Sequence, residues 1–205
     1  MLNPRQRLWS AALLIGLAVH ALVMARHGWG ELAHLLWSCH VATAALALGL
    51  LGGWSSLAWA GFLFHLAIGF PAWLIEVIVT RGTFGAAQFD GPLLATSIVV
   101  HGLPLAAGFA VLGAARPPRA AIAIAWALQV ALVPVSRALT PPVLNVNLAW
   151  AVWPPLTGAF PRLWMFQAAL SAASLLLLLA AALAWPRVAA LTRARTDVPA
   201  KGSAV

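Results

Sequence analysis

The sequence predicts an all-α fold, a polytopic bundle of about six transmembrane helices, from its composition and from one recurring pattern. The chain has 205 residues, of which 63% are hydrophobic and only 8% are charged. A soluble domain needs a far more charged surface than this chain could make. Apolar stretches of about 20 residues, enough to cross a bilayer core as a helix, recur along the chain. Because these stretches do not alternate polar and apolar residues, they predict helices and not a membrane barrel.

Six spans are predicted, separated by segments that carry turn or charge signals. They are Leu8–Ala25, Leu32–Leu51, Ser56–Thr80, Pro92–Ala115, Ala120–Thr140 and Leu163–Trp185. Residues 1–186 therefore form one transmembrane domain. Residues 187–205 form a basic cytoplasmic tail that we expect to be disordered, most clearly beyond Thr196.

The basic residues predict the topology and explain the net charge of +8. Eight Arg and Lys residues fall on the side of the predicted N-terminus and four on the other side, which favours both termini in the cytoplasm. These residues lie at span ends and in the tail, where they contact lipid headgroups, so no nucleic-acid partner is expected. The composition is rich in Arg and Ala, which suggests a GC-rich bacterial genome. We therefore expect the protein in a bacterial inner membrane. A cleavable signal peptide is the alternative for the first span, but its apolar run is long and contains His20.

Ionisable residues inside spans are costly and suggest function. At about 1.5 Å per residue, Cys39 lies about 10 Å below the outer surface and His101 about 14 Å below it. The side chains expected near this depth or just above it are Cys39, His40, Glu76, His101, Arg137, Asn145 and Asn147. His65 is expected deeper, near the middle of the membrane.

Such a layer permits nucleophilic acyl transfer from a membrane lipid. A thiolate attacks an ester, and a nearby imidazole takes the thiol proton and returns a proton to the leaving group. The amide of Asn145 or Asn147 could stabilise the oxyanion. Glu76, Arg137 and His40 are further candidates for contacts with the substrate.

Each of these residues also has a structural interpretation. A single Cys in a membrane helix can be a small packing residue, and a buried His can be a hydrogen-bond partner between helices. Glu76 could pair with Arg81, and the two Asn residues could cap the turn between spans. His40 follows Cys39 directly, so it points about 100° away on the helix and adjacency does not make a catalytic pair.

The order of these residues resembles the YwaF-type bacterial integral membrane proteins and their animal relatives, which include a cysteine-dependent phospholipid acyltransferase. The resemblance rests on His34-Leu-Leu-Trp-Ser-Cys39, on a His about sixty residues later at His101, and on the Asn145-Val-Asn147 loop that runs into Pro154. It covers roughly residues 31 to 155. It implies six spans, Cys39 as the acyl-accepting nucleophile, His101 as its base, and Asn147 as a donor-positioning or oxyanion-stabilising residue.

This chain departs from that pattern at two positions. The family usually has an aromatic residue after the second Asn, where this chain has Leu148. The residue after the Cys is commonly Asn, where this chain has His40. Both differences affect the polar contacts expected around the site.

Two other classes of function are compatible with the sequence. Six His residues suggest a haem or metal protein, and His40 and His101 lie at similar depth. No His pair has ligand spacing within one span, however, so no metal and no cofactor are expected. A transporter or an accessory membrane subunit is the other class, because Pro71 and Pro134 could break the third and fifth spans.

Overall fold

The computed structural model describes residues 3–78 and 91–196, and its described part is helical throughout. The α-helices are α1 (Pro4–Ala25), α2 (Ser38–Gly52), α3 (Ser55–Phe64), α4 (Phe70–Ile78), α5 (Gly91–Ala107), α6 (Arg119–Leu139) and α7 (Leu163–Thr196). Short 3₁₀-helices precede α2 (Trp29–Leu36) and occupy the loop between α6 and α7 (Pro142–Leu144, Val146–Leu148 and Pro154–Leu156). Neither described range contains a strand. The predicted all-α fold is confirmed.

Five helical segments are long and apolar enough to cross a membrane. They are Pro4–Ala25, Ser55–Ile78, Gly91–Leu112, Arg119–Leu139 and Leu163–Leu191. Two of them contain a π-helical turn, His65–Gly69 between α3 and α4 and Gly108–Leu112 after α5. Large apolar side chains such as Leu8 and Leu183 face outward and are 69% and 78% exposed. Such surfaces suit lipid and not water, so the chain has the architecture of a multi-pass membrane protein.

The predicted second span is not one straight helix. The 3₁₀-helix Trp29–Leu36 and α2 together are long and apolar enough to cross the membrane, but they are bent by 69°. Trp37 has an extended backbone (φ −55°, ψ 141°) at the bend, and α2 begins at Ser38. The bend places the first turn of α2 against the loop that follows α6, because Asn147 accepts a hydrogen bond from the Ser38 N–H.

The proline residues do not break the helices that were predicted to break. Pro71 directly follows the π-helical turn His65–Gly69 within the continuous helical segment Ser55–Ile78, and Pro134 lies within an uninterrupted α6. The last helix passes through Pro186 and ends at Thr196, eleven residues beyond the predicted end of the span at Trp185. The segment predicted as a tail therefore begins as a helix. Residues 197–205, and the turn predicted after Thr80, lie outside the described residues.

The core is formed by small residues of α2 and α3 and by an aromatic group beside them. A Cβ on Gly61 would overlap the backbone nitrogen of Leu46, so only glycine permits this approach of the two helices. Phe62 meets Trp185 edge-on at 4.6 Å, and the Trp185 indole donates a 2.7 Å hydrogen bond to the Gly113 carbonyl. This packing holds α3, α5 and α7 together and leaves α2 enclosed among its neighbours.

Candidate functional site

Three metal-ligating or nucleophilic side chains meet at the buried N-terminal end of α2. One ring nitrogen each of His40 and His101 and the sulfur of Cys39 all lie within 4.8 Å of one another. The three side chains are 6%, 2% and 9% exposed. Cys39 and His40 belong to the first turn of α2, and His101 faces them from α5. We call this group the Cys–His cluster.

Backbone carbonyls fix the protonation of both imidazoles in the Cys–His cluster. The Nδ1 of His40 lies 3.0 Å from the His34 carbonyl, and the Nδ1 of His101 lies 2.7 Å from the Ser97 carbonyl. A carbonyl only accepts, so both Nδ1 atoms carry the proton and both Nε2 atoms present a lone pair. Each Nε2 is buried and has no hydrogen-bond partner in the described part of the chain. Each imidazole thus has one basic nitrogen unused among the described residues, and both His residues border the same cavity as Cys39.

His65 connects the two helices that carry the Cys–His cluster. It is fully buried in the π-helical turn, with Nε2 2.9 Å from the His101 carbonyl and Nδ1 3.4 Å from the Cys39 carbonyl. The shorter contact identifies Nε2–H as the donor to His101. A π-helical turn directs side chains differently from an α-helix and is frequent at functional sites. His65 therefore positions the backbone of two cluster residues without contributing a ligand of its own.

Two further side chains hold the imidazoles in place. The indole of Trp73 stacks on the His101 ring at 4.6 Å and 12°, and its Nε1 donates a 2.8 Å hydrogen bond to the Ser97 hydroxyl. On the other side, the His20 ring lies 5.1 Å from that of His40. The Nδ1 of His20 is 2.9 Å from the hydroxyl of Thr96. The rings are thus held by side chains from α1, α4 and α5.

Two cavities reach the Cys–His cluster. One has a volume of about 150 Å³, is mostly apolar, and is lined by Cys39, Trp73, Glu76 and Leu148 among others. The second has a volume of about 70 Å³ and is bordered by all three cluster residues together with Met24 and His34. Both are well below the roughly 300–1,000 Å³ of ordinary small-molecule sites. They suit an ion or the end of an extended chain.

Close approach of the backbone brings Cys39 to these cavities. A Cβ on Gly69 would lie 2.8 Å from the Cα of Cys39, closer than real Cβ atoms approach. Gly69 ends the π-helical turn that begins at His65. The π-helical turn therefore allows the start of α2 to approach closely at Gly69, and it places the His65 side chain next to the backbone of Cys39.

Asn147 caps the start of α2 with both polar atoms of its side chain. Its Oδ1 accepts from the Ser38 N–H at 2.9 Å, and its Nδ2 donates to the Leu36 carbonyl at 2.7 Å and to the Ser136 hydroxyl at 2.9 Å. Asn147 itself has a left-handed backbone (φ 54°), which Asn tolerates better than most residues. Its amide spans the bend at Trp37, so both halves of the second span depend on it.

The other residues proposed for substrate contact separate into two groups. Asn145 folds over its own loop, with Oδ1 accepting from the backbone of Trp150 and Ala151. Arg137 donates through Nε to the Ala149 carbonyl at 2.7 Å. These two side chains stabilise the loop after α6 and do not line either cavity described above. Glu76 and His40 do line them.

The expected polar layer is thus assembled only in part. The structure brings Cys39 and His101 together across two helices, as the proposed chemistry needs. His40 also belongs to the cluster, although helical geometry predicted that it would point about 100° away from Cys39. The Nδ1 of His40 bonds the His34 carbonyl, and the ring lies close to Cys39 and His101. The roles of His65 and His20 were missed in the sequence. Their burial in the membrane was the only available signal, since no spacing relates them to Cys39.

The Cys–His cluster can bind a metal ion or act as a nucleophile with its base, but it cannot hold a haem. The rings of His40 and His101 are 5.6 Å apart and tilted by 59°, and the neighbouring cavities have no room for a porphyrin. The expectation that no metal would bind assumed ligands at helical spacing within one span. In the described residues, the three atoms that could hold an ion come from two helices, α2 and α5.

Fold and site together define a multi-pass helical membrane protein with a buried thiol–imidazole cluster. No family model matches the chain. No curated protein and no solved structure matches it either. The function is therefore inferred from the geometry of the Cys–His cluster.

Proposed function

We propose that the protein is an integral membrane protein that binds a transition metal ion through Cys39, His40 and His101. Two observations carry the proposal: one ring nitrogen of each His lies within 4.8 Å of the other and of the thiol, and the Nε2 of each His is buried with no hydrogen-bond partner in the described residues. An unsatisfied polar atom in a membrane interior costs several kcal/mol, so leaving two side by side suggests a ligand that uses both.

The donor set indicates the kind of ion. One thiolate and two neutral imidazoles suit Zn²⁺ and Cu⁺, whereas Mg²⁺ and Ca²⁺ prefer oxygen ligands. Three such atoms bound to one ion lie about 3.3–3.7 Å apart, so the cluster would contract by about 1 Å on binding.

The environment of the cluster matches that of a metal site. Metal-bound His residues almost always donate their second ring N–H to a carbonyl or carboxylate, which fixes the tautomer and the ring direction. His40 and His101 both do so, toward the carbonyls of His34 and Ser97. This arrangement leaves Nε2 as the metal-binding atom in both.

The test is metal content and cobalt spectroscopy of the protein in detergent. Purified wild type, reconstituted with Zn²⁺, Cu⁺ or Co²⁺ and passed through a desalting column, should retain about one ion per chain. Cys39→Ser, His40→Phe and His101→Phe should each lose at least 100-fold in affinity. The sulfur-to-cobalt charge-transfer band should be absent from Cys39→Ser and present in wild type.

The matched control is His27→Gln, which removes the one His residue that lies outside the group around the cluster and is exposed. Its metal content should equal that of wild type. Equal retention of metal by wild type and by all three cluster variants would overturn the proposal. Wild type that retains none of the three ions would overturn it as well.

Acyl transfer from a membrane lipid is the second candidate, and the apolar cavity beside the thiol favours it. This cavity of about 150 Å³ reaches Cys39 from a wall that includes Trp73 and Leu148, as an acyl chain would require. In this reaction, the thiol proton passes to an imidazole and the sulfur attacks the ester carbonyl. The alcohol then leaves with that proton, and the acyl group remains on sulfur. It ranks second because Asn147 and Asn145, the expected oxyanion donors, are already occupied by hydrogen bonds within the protein.

Intact-mass analysis separates the two candidates. After incubation with mixed phospholipids, an acyltransferase should carry a hydroxylamine-labile fatty-acyl adduct that is absent from Cys39→Ser. A metal protein should show the unmodified mass and lose its ion to a chelator. Unmodified masses in wild type, Cys39→Ser and His101→Phe would reject acyl transfer.

A further inference from the structure

His20 is a further buried imidazole beside the Cys–His cluster. It is one of the buried residues of α1, together with Leu13 and Met24. This helix packs against both α2 and α5, the two helices that carry the cluster. The His20 side chain is 3% exposed and borders the same cavity as all three cluster residues. Because an ionisable side chain inside a membrane is costly, its place next to three potential metal ligands suggests a function.

Hydrogen bonds determine which nitrogen of His20 carries the proton. The Nδ1 of His20 lies 2.9 Å from the Oγ1 of Thr96. The Thr96 hydroxyl donates to the carbonyls of Pro92 and Leu93, each at 3.1 Å. Its oxygen therefore accepts from the Nδ1–H of His20, and Nε2 presents a lone pair. In the described part of the chain, the only hydrogen bond of the His20 ring is the one through Nδ1.

His20 shares this arrangement with the two His residues of the cluster but not with His34. In His20, His40 and His101, an oxygen atom accepts from Nδ1–H and Nε2 is left as the basic nitrogen. His34 also borders the cavity, but its Nδ1 accepts a 2.8 Å hydrogen bond from the Trp37 indole. The proton of the neutral His34 ring is therefore on Nε2, and this ring has no lone pair left for an ion.

The spacing of the rings fits imidazoles that bind one ion. Zn–N bonds of about 2.0–2.1 Å at the tetrahedral angle place the centroids of two bound imidazoles about 5.2 Å apart. The centroids of His20 and His40 are 5.1 Å apart, and those of His40 and His101 are 5.6 Å apart. His20 is not one of the three side chains whose ligand atoms lie within 4.8 Å of one another, so it has to approach the other ligands when the ion binds.

We infer that His20 is a fourth ligand of the ion, and that the site is a tetrahedral Zn²⁺ site of three imidazoles and one thiolate. This inference rests on the proposed function. Two imidazoles and one thiolate alone are also the ligand set of trigonal copper sites, whereas four nitrogen and sulfur ligands in a tetrahedron are typical of zinc. A zinc ion with four protein ligands has no open position for water or a substrate. The ion would then join α1, α2 and α5 and would not act as a catalyst.

The test counts the ligands of bound Zn²⁺ in the full chain in detergent. X-ray absorption at the zinc edge should show one sulfur and three imidazoles in wild type, and one sulfur and two imidazoles in His20→Phe. Competition with a chromophoric chelator should show that His20→Phe binds Zn²⁺ at least tenfold more weakly. Removal of a ligand costs no less than removal of the group that orients it, which is worth about 10–100-fold.

Variants of Thr96 test the same ligand without changing it. Thr96→Val keeps the shape of the side chain but removes the acceptor for Nδ1–H, and should weaken Zn²⁺ binding about tenfold. Thr96→Ser restores the hydroxyl and should recover the wild-type affinity. Thermal unfolding of the metal-free proteins shows which variants are folded. If His20→Phe does not fold, the pair of Thr96 variants carries the test.

Met24→Leu is the matched control, since Met24 lies one turn from His20 on α1 and borders the same cavity. It should bind Zn²⁺ as wild type does. A loss in Met24→Leu with none in His20→Phe would overturn the inference in favour of the thioether. Two imidazoles in wild type, or equal Zn²⁺ affinity of wild type and His20→Phe, would overturn it and leave the three-ligand site in place. Wild type that binds Cu⁺ and not Zn²⁺ would overturn the inference alone, and wild type that binds no ion would overturn it together with the proposed function.

Discussion

The Cys–His cluster and the loop around Asn147 both bury polar side chains in the membrane, but they use them in opposite ways. Both of the Asn147 side-chain polar atoms are bonded, to Ser38, Leu36 and Ser136. In the cluster, His40 and His101 each bond one nitrogen to the backbone, and the other nitrogen has no partner in the part of the chain that the structure describes. Saturated polar groups stabilise a fold, whereas a polar atom left unpaired at the cost of stability suggests a ligand. On this criterion, we infer that Asn147 stabilises the fold and we propose that the cluster binds a ligand.

Removal of the Asn147 amide should have the largest effect on stability. Asn147→Ala leaves the Ser38 N–H, the Leu36 carbonyl and the Ser136 hydroxyl without partners at a site that is 6% exposed. We expect a loss of about 3 kcal/mol in the free energy of unfolding. Equilibrium unfolding in mixed micelles measures it. Asn145→Ala, whose partners lie in its own loop, is the control and should lose less than half as much. Equal losses would contradict the distinction between a cap of α2 and a local turn.

A methyl group at Gly69 should disturb the start of α2 directly. Its Cβ would lie 2.8 Å from the Cα of Cys39, so the backbone of one helix must move. We expect Gly69→Ala to destabilise the protein by about 1–3 kcal/mol. Gly102→Ala is the matched control, because nothing lies within 4 Å of its Cβ although it is next to His101. It should leave the unfolding free energy nearly unchanged, and a loss equal to that of Gly69→Ala would show that glycine at Gly69 is not needed for close approach.

The sequence predicted the membrane helices well because hydrophobic length is a local property. The five long segments agree with predicted spans to within a few residues at most ends. The bend at Trp37 was missed for a physical reason. It contains neither Gly nor Pro, and it is stabilised by Asn147, which lies 109 residues after Ser38 in the chain. A break maintained by a distant side chain leaves no local sequence signal.

The candidate site was predictable in its members but not in its arrangement. Cys39 and His101 could be placed at similar depth because depth follows from the count of residues along a helix. Which helix faces line the same cavity depends on how the helices pack. That packing depends on Gly61 and Gly69, where the backbones of two helices are in close contact. Position in the sequence likewise could not show that His40 turns its ring toward His101, since that direction follows from the bond to the His34 carbonyl.

Substitution of His65 should show whether this residue positions the three metal-binding side chains or only stabilises the fold. His65→Phe keeps the aromatic volume but removes the donor to the His101 carbonyl and the contact with the Cys39 carbonyl. If the cluster binds metal, loss of these backbone contacts should lower the metal affinity by about tenfold, the effect of one to two hydrogen bonds. Competition with a chromophoric chelator measures it for Zn²⁺ or Cu⁺. His65→Gln restores a side-chain donor and should recover part of the affinity. Metal affinity equal to wild type in His65→Phe would show that the ligands hold their positions without it.

The smallest predicted effect concerns the plane of the His101 ring. Trp73→Phe retains an aromatic face against His101 but loses the indole N–H that bonds the Ser97 hydroxyl at 2.8 Å. One hydrogen bond contributes about 1 kcal/mol, so metal affinity should fall roughly fivefold. Trp73→Leu loses the stacking as well and should fall further, while Ser97→Ala should match Trp73→Phe. If Ser97→Ala leaves metal affinity unchanged and Trp73→Phe lowers it, the effect of the indole on His101 does not pass through the Ser97 hydroxyl.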